Sequence, residues 1–297
     1  MKLLHIGLGK CGSTFLQKEI FPRLAKKVKS NYINFLTNDF FKIDSNKVET
    51  HHLENLKNLE KLLPEKFILS NESLFSYHWE FSRINESFEN IKKNFSENTV
   101  ILIVIRNPYD LLNSIYTQSI QHMRIIKSEN FFYIDKNERG VRIKNRFNLY
   151  AFDYQKLISL YKTYFKNVVV VKYEDLNKFD FLKEIYDLDN SFIRELQSIN
   201  AKHHKSISKF GIKFIIFLNS FIDVEKNQLL IRSLIKRNKD LNIIDKIRNK
   251  ILRYLILNSF FQNSFDKIIP YKKFCIQKKF IPIDIDYEIK KYKLLKI

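Results

Sequence analysis

Three of the five glycines in this 297-residue chain, Gly7, Gly9 and Gly12, lie within one six-residue window. An average composition of roughly 7% glycine would spread about 20 along such a length. The window follows a short apolar run, Leu3–Leu8, and precedes a stretch with helical spacing of apolar residues, Phe15, Leu16, Ile20 and Leu24. Glycine permits left-handed backbone and close approach of neighbouring atoms, so a tight strand-to-helix turn is expected. Such a turn aims successive backbone N–H groups and a helix N-terminus at one point, an arrangement that binds phosphate or sulfate.

The rest of the chain repeats the strand–helix alternation. Ser13–Lys27 reads as a helix with a bend at Pro22, where the ring and the missing N–H disturb the ladder. Tyr32–Leu36 and Phe67–Ser70 read as strands, and His51–Leu63 as a helix stopped by Pro64. Thr99–Ile105 is a continuous β-branched run of the kind buried on both sheet faces. Arg106-Asn107-Pro108 stops it, and Pro108 suits the first turn of a helix reaching Gln121. A polar stretch, 122–140, reads as a loop over a site. Asn148–Phe165 reads as a helix, Asn167–Tyr173 as another buried strand, and the chain beyond Asp175 as mostly helical. The expected fold is a three-layer α/β class with a mainly parallel central sheet. Residues 1–210 would form the core, with a mostly helical, basic region over 211–297. Ligands would then gather at the carboxyl ends of the strands.

Composition narrows the setting. Two cysteines, Cys11 and Cys275, cannot build a disulfide framework or a cysteine-rich zinc site. The first ten residues meet glycine and charge too early for a signal peptide, and the most apolar later stretch, Gly211–Ile222, is too short to span a bilayer. A cytoplasmic protein is expected, with peripheral contact at a membrane surface as its one membrane option. The net charge is +20, from 52 Lys and Arg against 32 Asp and Glu, and +14 of it falls in residues 201–297. Such an excess favours anionic partners, although a sequence this rich in Lys, Asn, Ile and Phe also fits AT-rich coding DNA.

The glycine window fits three known loops to different degrees. Gly7, Gly9 and Gly12 match the dinucleotide fingerprint, but the acidic residue expected about 20 positions on is missing, Asp39 lying too late. Gly7 and Gly12 match the spacing of the nucleoside-triphosphate loop, but Ser13 stands where that loop needs lysine. The acidic strand end that would hold magnesium is also replaced, by Arg106. In the third loop lysine precedes the glycine and two hydroxyls follow: Lys10-Cys11-Gly12-Ser13-Thr14. This segment resembles the 5′-phosphosulfate loop of the sulfotransferase family, P-K-[ST]-G-[ST]-T in many members, with Gly9 where proline is common.

A second segment strengthens the likeness. Arg106-Asn107-Pro108-Tyr109-Asp110-Leu111-Leu112-Asn113-Ser114 is similar to the family's 3′-phosphate motif, an arginine followed eight residues later by serine. A guanidinium can grip phosphate bidentately without metal; its competing role is an ion pair with Asp110. Residues 154–176, ending Tyr173-Glu174-Asp175-Leu176, resemble the family's helix and following strand, where Glu174 and Asp175 would orient the junction. The segment 200–208, with Lys202, His203, His204 and Lys205, falls where members carry a basic stretch near the nucleotide, and a solvated loop is its plainer reading. The resemblance is close over 1–20 and 99–116, loose over 150–210, and absent over 211–297.

The resemblance implies 3′-phosphoadenosine 5′-phosphosulfate (PAPS) as donor, no metal, and a hydroxyl acceptor, with a glycan or glycolipid preferred and no nucleic acid. Lys10, Cys11, Gly12, Ser13, Thr14, Arg106 and Ser114 would hold the donor, and Lys10 would stabilise the leaving phosphate. A base must take the acceptor proton. The turn Asn71-Glu72-Ser73-Leu74 is similar to a stretch after a core strand in bacterial members and makes Glu72 the candidate. Glu72 has an equal claim as a helix-start residue complementing the dipole, and His78 is the alternative base. Tyr77 and Trp79 would stack on a sugar or pack in the core. Two other functions stay open: a P-loop small-molecule kinase, and an anion-binding protein acting on nucleic acid or an acidic membrane through its basic last third.

Overall fold

The computed structural model describes residues 1–34, 59–74, 84–121, 131–133, 147–149, 153–199, 212, 275–281 and 283–295. Most of the expected 211–297 region, of the loop at 122–140 and of the His51–Leu63 helix lies outside them. The chain divides into two compact units. The first holds residues 1–111, 133–203 and 282–297; the second holds 112–132 and 204–281.

The first unit is built on a five-stranded, all-parallel sheet flanked by helices, an α/β fold of the P-loop-like kind. Its strands are β1 (Lys2–Ile6), β2 (Asn31–Asn34), β3 (Phe67–Asn71), β4 (Val100–Ile105) and β5 (Val168–Lys172), in the spatial order β2-β3-β1-β4-β5. Ile6, the last residue of β1, is level with Asn71 on one side and Ile103 on the other. The chain leaves β1 toward one side of the sheet and later enters β4 on the other. The carboxyl ends of β1 and β4 therefore flank the reversal of strand order, the crevice where open α/β sheets bind ligands. All six residues of β4 are buried, as expected of a parallel strand covered on both faces. Each Ile or Leu so buried contributes roughly 1.5–3 kcal/mol of transfer free energy.

Strand β1 ends two residues before the apolar run does. Gly7 has left the ladder, because it packs against Ser13 and Glu72 rather than continuing the pairing. The helical run that follows has three parts: α1 (Ser13–Phe15), a π segment (Leu16–Ile20) and α2 (Phe21–Lys27). Pro22 sits in the first turn of α2. The wide π turn lies immediately upstream, where the proline ring would crowd an α-helical carbonyl. Leu16, Ile20, Phe21 and Leu24 are fully buried on one face.

Among the remaining elements, α3 (Leu59–Leu62) precedes β3, and α4 (Ile84–Asn94) precedes β4. Helix α5 (Pro108–Gln121) begins at the expected proline, with Asn107 Oδ1 accepting the Tyr109 N–H at 3.0 Å. Helix α6 (Tyr154–Lys162) starts later than the aromatic spacing predicts, because Asp153 caps it by accepting the Lys156 N–H at 3.2 Å. After β5 come a 3₁₀ turn (Tyr173–Lys178), α7 (Asp180–Tyr186) and α8 (Asn190–Gln197), and near the end α9 (Ile285–Leu294). Within the second unit, Tyr116 packs on Phe131 with ring centroids 5.4 Å apart, and Asn113 Oδ1 accepts the Ile276 N–H. Among the described residues no helix is long and apolar enough to cross a membrane.

Candidate functional site

The turn after β1 carries two left-handed residues, Lys10 at φ 67° and Gly12 at φ 83°. The glycine is required there twice over. A Cβ on Gly12 would lie 2.7 Å from Leu176 Cδ2, closer than real contacts allow, and 3.2 Å from the Tyr173 ring, a tight contact. Gly7 is constrained by packing alone, since its Cβ would meet Ser13 Oγ at 2.7 Å and Glu72 Cγ at 3.1 Å. Gly9 faces open space. Lysine in the left-handed region costs roughly 1–2 kcal/mol. The Arg106 side chain donates a 2.9 Å hydrogen bond to the Lys10 carbonyl and thereby supports that strain.

Arg106 is half-buried at the end of β4, with its guanidinium carbon 4.6 Å from the centroid of the Tyr173 ring. Cation–π stacking and the bond to Lys10 fix the plane of the guanidinium. Residues from three strand ends thus meet: the loop after β1, Arg106 after β4, and Tyr173 after β5.

A fourth strand end, on the other side of β1, adds Glu72, the first residue of a 3₁₀ turn after β3 (Glu72–Leu74). Its half-buried carboxylate accepts from the Ser13 hydroxyl and lies in the field of Lys10. The Leu8 carbonyl, 3.4 Å from Ser13 Oγ, is the competing acceptor. Burial raises the Glu72 pKa, against the opposing pull of Ser13 and Lys10. The Lys10 ammonium is shifted the other way: burial lowers its pKa, Glu72 raises it, and Arg106 lowers it further. An acid and a cation are thus drawn toward neutral pH by the same crowding, a pattern typical of catalytic sites.

The other expected site residues divide clearly. Cys11 is fully buried, and burial pushes its thiol pKa up, so it can offer a ligand only its backbone. Ser13 is buried and Thr14 half-buried at the start of α1. Ser114 is half-buried on the second turn of α5, in the second compact unit. His78, Tyr77, Trp79, Lys202, His203, His204 and Lys205 lie outside the described residues.

Two residues outside the expected donor-binding and catalytic sets take part, one of them Glu174, the residue expected to orient this junction. Tyr154 Oη donates to the Arg106 carbonyl at 2.8 Å, and Glu174 Oε1 accepts the Asn107 N–H at 3.4 Å. The aromatic spacing of residues 150–164 marks Tyr154 as a helix-face residue. Only the fold shows that its hydroxyl ends at Arg106.

A family model, the sulfotransferase domain, matches residues 2–189. The match spans β1 through α7 and includes the glycine window, Glu72, Arg106 and Ser114. Comparison with curated proteins and with solved structures returns no match.

Proposed function

Because the chain belongs to the sulfotransferase family, we propose that it moves a sulfuryl group from PAPS to a hydroxyl of a glycan or glycolipid. The observation that carries this reading is the meeting of Lys10, Arg106 and Glu72 around one glycine turn, with Arg106 bonded to the Lys10 carbonyl at 2.9 Å. The donor set suits a nucleotide with two separate phosphates. The turn offers N–H groups and hydroxyls beside a lysine, and Gly7 and Gly12 let it lie close against Ser13, Glu72, Tyr173 and Leu176. Arg106 adds a second cation at the next strand end.

In transfer, the bond from sulfur to the leaving phosphate oxygen breaks as the bond from sulfur to the acceptor oxygen forms. Negative charge grows on the leaving oxygen, and the Lys10 ammonium with the Gly12, Ser13 and Thr14 amides neutralises it. Fixed cations and dipoles of this kind stabilise the transition state more than the ground state. The acceptor proton passes to the Glu72 carboxylate, whose raised basicity suits a general base. The net +14 of residues 201–297 favours an acidic glycan or an anionic membrane surface as the setting, on the cytoplasmic side.

Transfer of labelled sulfate from PAPS to a panel of sugars, glycolipids, phenols and peptides tests the reading. The expected product is a labelled glycan or glycolipid, with turnover lower by roughly 10²–10⁴-fold in Glu72→Gln. Labelling of no acceptor, or undiminished labelling in Lys10→Met, contradicts it.

A further inference from the structure

The peptide group between Arg106 and Asn107 is held at both ends. Tyr154 Oη donates to its carbonyl at 2.8 Å, and the Glu174 carboxylate accepts from its N–H at 3.4 Å. One residue touches both holders. Tyr292, on α9, donates its hydroxyl to Glu174 Oε2, and its ring lies 6.1 Å from that of Tyr154. Burial and the neighbouring Glu174 carboxylate raise the Tyr292 pKa, so the hydroxyl keeps its proton and remains the donor.

Helix α9 is itself tied down by separate contacts. Lys172 Nζ donates to the Leu295 carbonyl at 3.0 Å and lies 5.4 Å from the Tyr292 ring centroid. Lys291 pairs with Asp153, the cap of α6, at 3.3 Å. Ile285 and Tyr292 are buried, and the Asp284 side chain caps the helix by accepting from Asp286 and Tyr287. Of these residues, Tyr292 reaches both side chains that hold the Arg106 peptide. All of these residues belong to the first compact unit, yet α9 lies about a hundred residues beyond the matched 2–189 segment.

We infer that Tyr292 is a positioning residue for Arg106: by orienting Glu174 and Tyr154 it sets the peptide plane from which the guanidinium reaches the nucleotide. The inference rests on the proposed PAPS reading for its ligand, but the brace itself does not. Tyr292 acts through the peptide and has no part in the sulfuryl transfer. Its loss should therefore weaken nucleotide binding and leave turnover at saturation nearly unchanged.

The test compares the full-length wild type with Tyr292→Phe, which keeps the ring and removes the donor, and with Glu174→Gln and the double variant. Two readouts are taken: the affinity for 3′,5′-adenosine bisphosphate with the KM for PAPS, and hydrogen exchange of the peptide spanning residues 104–112. Tyr292→Phe should weaken binding and raise the KM by about 5- to 10-fold, the scale of one lost charge-assisted hydrogen bond. Its kcat should change less than about two-fold, and exchange around Asn107 should quicken. The double variant should be no worse than the poorer single, since both act through one network. Exchange in Tyr292→Phe equal to wild type overturns the brace whether or not the nucleotide binds. Quickened exchange with unchanged affinity overturns the positioning role and leaves the donor assignment intact. Failure of wild type to bind the bisphosphate counts against the donor assignment instead, and the exchange readout still decides the brace.

Discussion

Glycine is needed at two of the three positions in the window, for different reasons. Gly12 combines a φ of 83° with a Cβ position 2.7 Å from Leu176, whereas Gly9 has open space and no positive φ. Gly12→Ala should therefore cost about 2–4 kcal/mol of stability, adding left-handed strain to overpacking. Gly9→Ala should stay within about 0.5 kcal/mol. Denaturant unfolding of the two variants checks this, and equal losses would mean that the turn is not built as described. The crowding that raises Glu72 and lowers Lys10 also sets a pH profile. On the proposed mechanism transfer requires Glu72 ionised, so kcat/KM should rise with pH through a value above the ordinary carboxylate range. It requires Lys10 protonated, so it falls again through a value below the ordinary ammonium range. The bell is narrower than free side chains would produce. Glu72→Gln should flatten the acid limb and Lys10→Arg should move the alkaline limb upward; an acid limb unchanged in Glu72→Gln would remove that residue from the base role.

Secondary structure is legible where one physical cause dominates. The β-branched run of β4 and the proline at the head of α5 stand where their composition puts them. Helix α4 has no such signature, because its buried face includes Ser87, Asn90 and Asn94 beside Phe88 and Ile91. Asn94 uses its amide to accept the Leu59 N–H and to donate to the Asn90 carbonyl. Polar side chains buried on the inner face, one of them bonded to a partner 35 residues away, leave no apolar stripe to read. Strand β1 hides a similar case. His5 is fully buried among apolar neighbours, shares a 2.7 Å hydrogen bond with Ser70 Oγ on β3, and packs edge-on against Phe21 of α2. Gln17 of the π segment donates to the same Ser70 hydroxyl at 3.1 Å. Burial pushes the His5 pKa down to about 3, while the unfolded chain titrates near 6.5. The unfolded state thus binds the extra proton between those values, and stability falls as pH drops through that window, by at most about 1.4 kcal/mol per pH unit. Thermal melts from pH 7 to 4 should show a shallower decline in His5→Phe than in wild type, and identical slopes would refute the assignment.

On the scale of the molecule, the site lies at the reversal of strand order, beside β1 and β4. The pairing order β2-β3-β1-β4-β5 brings together Lys10, Glu72, Arg106 and Tyr173 from four separate strand ends. The two anion-gripping segments are readable from the sequence because each is local, a handful of residues at fixed spacing. The supports of Arg106 are not. Tyr154 and Tyr292 reach it or its holder from 48 residues away in one case and 118 residues from Glu174 in the other. On the proposed reading only Lys10 and Arg106 of the basic excess grip the nucleotide, and the net +14 of residues 201–297 is what makes an acidic acceptor the proposed class. The most direct measurement is a metal-free calorimetric titration with 3′,5′-adenosine bisphosphate, run in parallel with ATP and magnesium. The account predicts one-to-one binding of the bisphosphate, weakened about 100-fold or more in Arg106→Ala through loss of a charge-assisted grip. Tight magnesium-dependent binding of ATP with no binding of the bisphosphate would contradict it.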